Sequence, residues 1–165
     1  MTDQSLQQRM VPSASSSAAP ALSTARQQLL DDILQLYQCR PTHNLFRHYD
    51  NQAIFEDPIS YLPGIGSIKA AFYAMPKLFR SSTTRRQTVI HNEPTELRVK
   101  MVQDYTFRGL GVRSTMPSTL VLQFKTTENG TPTDKVILHR ELWWGTPLSY
   151  SSDGALGKVA EVGTF

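Results

Sequence analysis

Phe55-Glu56-Asp57-Pro58, followed by Leu62-Pro63-Gly64-Ile65-Gly66-Ser67-Ile68, is the stretch on which the fold turns. Ala53 to Asp57 reads as a short apolar strand, and Pro58, lacking an N–H, suits a strand end or edge. Gly64 and Gly66 supply the backbone freedom that a compact turn needs. Ser67 is a fair N-cap for a helix with the apolar stripe Ile68, Ala71, Phe72, Met75 and Phe79. Pro76 removes that helix's bond to the Phe72 carbonyl, which predicts a kink or an early end. A carboxylate placed just before a proline is either a turn device or a reactive group. In the first case Asp57 accepts backbone N–H groups of the Ser60 to Gly64 turn; in the second it is a pocket acid or base.

Upstream, Leu29, Leu30, Ile33, Leu34 and Tyr37 recur at helical spacing and predict a helix over Ala25 to Cys39, capped by Ser23 or Thr24. A second short helix is expected from Thr42 to Tyr49. Residues 1–23 are rich in Gln, Ser, Ala and Pro and cannot bury enough surface to offset the cost of ordering, so a disordered tail is expected there. The folded domain is expected over residues 24–165.

Downstream of Ser82 the period changes. Thr83 to Asn92 is β-rich, and Asn92-Glu93-Pro94 signals a turn. From Leu97 to Arg108 apolar and polar residues alternate, as in a long half-buried strand. Gly109, Gly111 and Pro117 mark a connection, Thr119 to Thr126 a further strand, and Asn129-Gly130 a hairpin loop. Lys135 to Trp144 is the last long strand, with a short terminal one expected near Lys158 to Val162. Helices first and strands after call for an α+β layer, a curved antiparallel sheet wrapped around about three N-terminal helices, with a cavity beneath the sheet.

The 165 residues suffice for one domain with a real core. A net charge of +3 is too mild to imply nucleic acid, and Arg80, Arg85 and Arg86 read as a solvated strand edge. Cys39 is the single cysteine, which excludes an intrachain disulfide and fits a reducing compartment. No run approaches a membrane span, and the N-terminus lacks a secretory h-region. A cytoplasmic location is expected. The Ser/Ala-rich start only weakly resembles a mitochondrial transit peptide. The spacing of the histidines suits no metal, and no cofactor is expected.

The order of elements, with Phe55-Glu56-Asp57-Pro58 and Gly64, Gly66, Ile68 and Phe72, resembles the nuclear transport factor 2-like superfamily over about residues 24 to 145. That superfamily includes ketosteroid isomerases, scytalone dehydratase and SnoaL-like polyketide cyclases. His139-Arg140-Glu141-Leu142-Trp143-Trp144 is similar to a branch from plants and fungi without an assigned activity. The resemblance implies a cone fold, and it implies function less directly, because this superfold hosts unrelated chemistries. It places Asp57 where the isomerases keep their base. Aligned without gaps, their oxyanion-hole Tyr falls on Ile33 and their Asp near Leu122, so the isomerase set is incomplete; Tyr37, one turn on from Ile33, is the substitute on hand. The dehydratase pattern, an Asp–His pair with tyrosines, has more material.

Asp57 and His139 are therefore the candidate catalytic groups, and Tyr37, Tyr49, His91, Tyr105, Glu141 and Trp143 the candidate ligand-binding ones. His139, Glu141 and Trp143 share one strand face by period two. A concave face would put them in the pocket; a convex one would make them a solvent ladder or dimer surface. Trp143-Trp144 must place one ring on each side of the sheet. Three functions stay open: a pocket for a small apolar molecule or a partner chain, a cofactor-free lyase or isomerase, and a module that forms homodimers through its sheet.

Overall fold

The computed structural model describes residues 20–109 and 111–144. Helix α1 spans Thr24–Tyr37 and starts at Ser23, whose hydroxyl accepts from Arg26 N at 3.2 Å. Its turn-off at the C-terminus is made by Cys39, which adopts a left-handed φ of 59°. The expected second helix is a 3-10 helix, His43–His48, too short for an α-helical turn pattern to settle. Strand β1 then covers Tyr49–Asp57, longer than the expected strand at its start.

The decisive stretch contains one more strand than expected. Pro58-Ile59 is the tight turn of a hairpin, and β2, Ser60–Pro63, pairs antiparallel with β1 from Asp57↔Ser60 to Ile54↔Pro63. Helix α2, Gly64–Leu78, begins directly after β2, three residues before the expected Ser67 cap. Gly64 makes this junction with a φ of +78°, a conformation costly for any residue with a Cβ. Pro76 stands in the last turn and α2 ends two residues later, as an unsatisfied Phe72 carbonyl leads one to expect.

Four long strands follow: β3 Phe79–Glu93, β4 Glu96–Phe107, β5 Arg113–Thr126 and β6 Pro132–Trp143. The segment around Pro117, expected as a connection, is the start of β5. There β5 pairs with β4, while its pairing with β6 begins only at Ser118, so the missing proline N–H breaks no bond on that side. The sheet order is β2-β1-β6-β5-β4-β3. It is a curved, unclosed, mixed sheet rather than an antiparallel one, because β6 runs parallel to β1. The long route from β1 to β6 through α2 and the meander leaves that direction free, whereas tight hairpins force their partners antiparallel.

The helices lie in the hollow of the sheet. Leu29, Leu30, Ile33, Leu36 and Tyr37 of α1 and Ile68 and Phe72 of α2 meet Leu97, Val99, Met101, Leu120, Leu122 and Val136 of the strands in one core. Arg26 ties the start of α1 to the far end of the sheet. Its guanidinium donates to Asp134, Asn92 Oδ1 and the carbonyls of Glu93 and Pro94, and lies 3.8 Å over the Phe124 ring.

The folded part starts slightly before the expected boundary. Leu22 packs on the core, and the Ala21 carbonyl accepts from Asn92 Nδ2. Residues 1–19 of the expected tail and the strand expected near Lys158 to Val162 lie outside the described residues. No helix among the described residues is long and apolar enough to cross a membrane.

Candidate functional site

Between the concave face of the sheet and α2 lies a cavity of about 390 Å³. Phe55, Leu62, Ala71, Phe72, Met75, Phe79, Phe107 and Met116 make most of its wall, and polar groups come from Tyr37, Asp57, Ser60, Tyr105, Ser114, Glu141 and Trp143. The period-two face of β6 is thus concave: Glu141 and Trp143 reach the cavity, and His139 lies just behind the wall. Trp144 is on the other side and half exposed, so the two indoles do flank the sheet.

Asp57 both holds a turn and lines the cavity. Its Oδ1 accepts from Ile59 N at 2.9 Å, which holds the β1–β2 turn, while the side chain lines the cavity. The turn it anchors is the two-residue one at Pro58-Ile59, not the expected Ser60 to Gly64 segment. Burial raises its pKa, opposed by hydrogen bonds from Ile59 and Ser60.

Glu141 is the more perturbed acid. Burial pushes its pKa up to about 7, with a further rise from the charge of Asp57. Tyr37 counters this by donating to Oε2 at 3.2 Å. Ser118 and Trp143 act in the same direction as Tyr37. Near neutral pH this carboxyl is therefore partly protonated.

Behind Tyr37 the polar chain continues inward. Tyr37 Oη lies 3.0 Å from His139 Nε2, and Tyr49 Oη lies 2.7 Å from His139 Nδ1. When Glu141 is ionised the single Tyr37 proton goes to it, so Nε2 donates to Tyr37 and Nδ1 accepts from Tyr49. Tyr37, His139 and Tyr49 are then all satisfied with a neutral ring that carries its proton on Nε2. Burial lowers the His139 pKa to about 3, in accord with a neutral imidazole. Burial also raises the pKa of Tyr49, and that of Tyr37, where Glu141 adds to it. Phe55 and Phe72 pack on the imidazole at centroid distances of 4.9 and 6.2 Å and keep it from water.

The candidate residues thus divide into three groups. Asp57, Tyr37, Tyr105, Glu141 and Trp143 line the cavity together. His139 and Tyr49 lie behind it: His139 is fully buried and is connected to the cavity wall through Tyr37, so it does not itself face the cavity. His91 is elsewhere, on β3, 3.7 Å from Glu96 and partly exposed, and does not line the cavity. Period-two counting puts a strand residue on one face but says nothing of how far along the sheet the cavity extends. Ile33, the gapless match to the isomerase tyrosine, is buried in the core, whereas Tyr37 is in the wall. Among the described residues no group of three or more His, Cys, Asp or Glu has the geometry of a metal site.

No protein-family model matches the sequence, and no curated protein does. Solved structures match the fold. An NTF2-like protein from Anabaena variabilis is 15% identical, with a TM-score of 0.60 over 72% of this chain and 86% of that one. A proposed polyketide cyclase from Xanthomonas campestris is 12% identical, with a TM-score of 0.55 over 72% and 92%. A proposed scytalone dehydratase from Novosphingobium aromaticivorans is 11% identical, with a TM-score of 0.54 over 72% and 80%. At these identities the likeness concerns architecture alone. The chain has the nuclear transport factor 2-like fold, an α+β cone with its cavity between the curved sheet and α2.

Proposed function

We propose that this protein binds a small, largely apolar molecule inside the cone. The cavity carries the reading: about 390 Å³, walled by aliphatic and aromatic side chains, with a few polar groups to orient a ligand. The neutral dye N-phenyl-1-naphthylamine should bind with a rise in its fluorescence. Ala71→Trp, which fills the space from the α2 side, should abolish that rise while the circular dichroism spectrum stays unchanged. Equal dye binding by both proteins would overturn the reading.

A second reading, cofactor-free lyase or isomerase chemistry, rests on Glu141. A buried acid with a pKa of about 7, hydrogen-bonded to a tyrosine in the same wall, is matched to moving protons at neutral pH. In it Glu141 or Asp57 transfers the proton and Tyr105 or Tyr37 polarises the substrate. The likeness to the cyclase and dehydratase structures supports this choice of chemistry. Homodimerisation through the sheet remains the third proposal. The exposure of Ile90 on β3, Ile137 on β6 and Trp144 supports it, and sedimentation equilibrium tests it. The lone Cys39 supports a reducing compartment such as the cytoplasm.

A further inference from the structure

The cavity is more than an apolar hole. Two carboxyl groups, Asp57 and Glu141, face it, and each works against the ionisation of its surroundings: Asp57 raises the pKa of Glu141, and both raise that of Tyr105. No Lys, Arg or His is among the described lining residues to offset them. A buried carboxylate that is ionised is ordinarily paired with a cation, and here none of the described side chains in the wall supplies one.

Seven of the lining side chains are aromatic, a wall whose ring faces are electron-rich. Tyr37, Tyr105 and Trp143 stand beside Glu141 at the polar end. Tyr105 adds an independent sign of a missing partner. It is 6% exposed, lines the cavity, and its hydroxyl makes no hydrogen bond to a described residue. Ile59, Leu62, Met75, Leu78 and Met116, also in the wall, carry no charge.

We propose that the molecule bound in this cavity is an apolar amine, held as a cation with its ammonium group between Glu141, Asp57 and the aromatic rings and its hydrocarbon part along the α2 side. This rests on the cavity-binding reading and names its ligand class. An alkylated ammonium is weakly hydrated, so an aromatic and carboxylate lining can replace its water at low cost. The groups that face Glu141 are Tyr37 of α1, Asp57 of β1, Tyr105 of β4, Ser118 of β5 and Trp143 of β6, and Phe72 and Met75 of α2 complete the wall without adding charge. A bound cation favours ionised Glu141, so it drives off the proton that Glu141 retains near neutrality.

Phenyltrimethylammonium and tert-butylbenzene have the same shape and differ in charge, which makes them a direct test. Each is titrated against wild-type protein loaded with N-phenyl-1-naphthylamine at about pH 8, where Glu141 is ionised. The cation should displace the dye at a concentration at least ~10-fold lower than the hydrocarbon does. That advantage should shrink as pH falls to about 5.5 and Glu141 takes up its proton. Glu141→Gln should lose the preference and still bind tert-butylbenzene, and the pH series on wild-type protein gives the same answer if that variant does not fold. Equal or tighter binding of tert-butylbenzene at the higher pH overturns the ammonium assignment and leaves the cavity reading standing. Failure of the dye to bind wild-type protein overturns both.

Discussion

Replacing Glu141 by Gln tests whether the buried acid at the centre of the site holds its proton against solvent. In the fold its pKa is about 7 rather than 4.5, mainly through burial. Folded chains keep this proton over a range in which unfolded chains have released it. The stability it contributes is therefore complete below the unfolded value and is lost as pH rises through the folded one. At about 1.36 kcal/mol for each pH unit, that interval is worth about 3 kcal/mol. Gln keeps the shape and an acceptor for Tyr37 but has no proton to lose. Urea unfolding of both proteins should show the variant gaining about 3 kcal/mol on the wild type between about pH 4.5 and 8.

His139 supplies an internal check on the same curves. Its pKa is about 3 instead of 6.5, so the stability of its neutral form is lost as pH falls below the unfolded value. Between the two unfolded values, 4.5 and 6.5, the slopes of Glu141 and His139 are opposite and cancel. The pair then adds no pH dependence in the wild type, whereas Glu141→Gln exposes the upward slope of His139 alone. Parallel curves for the two proteins across this window would refute the placement of a protonated Glu141 beside a neutral His139.

Four further outcomes follow from other contacts. Asp57→Asn keeps an acceptor for Ile59 N–H, so the melting temperature should hold while the Glu141 titration, followed by carboxyl NMR, moves to lower pH. Nitrogen NMR of the imidazole should show His139 neutral and protonated on Nε2 at about pH 8.5, where Glu141 is ionised, and a signal from an Nδ1–H tautomer there would reverse the assigned direction of the chain. Arg26→Met removes several charge-assisted bonds between α1 and the far turn and should cost about 2–4 kcal/mol in chemical unfolding. Cys39→Gly relieves a left-handed backbone at the end of α1 and should add about 1 kcal/mol by the same measurement.

The fold was legible because it follows from local periodicity. The α1 stripe, the alternation from Leu97 to Phe107 and the turn signals at Asn92 and Gly130 each specify an element without reference to distant residues. Reading failed where a partner decides the conformation. β2 is four residues long and exists because β1 offers it a ladder, and the first residues of β5 are a strand because β4 lies beside them. Sequence also named five of the seven polar groups described in the wall, since Asp57, Tyr37, Tyr105, Glu141 and Trp143 are residue types that stand out in such positions. It misjudged depth, setting His91 and His139 on a par with them.

By itself the sequence determined a helix-then-meander α+β chain with an acid at the β1 turn, because hydrophobic period and turn chemistry act over a few residues. Only the tertiary structure decided that the β6 face is concave. It also decided that β6 runs parallel to β1, that Tyr37 comes between Glu141 and His139 across 102 residues, and that two carboxyl groups share a cavity with no basic side chain among its described lining residues. Those relations arise from sheet curvature and packing between distant segments, and the pKa values that give the site its chemistry depend on burial that no local pattern encodes.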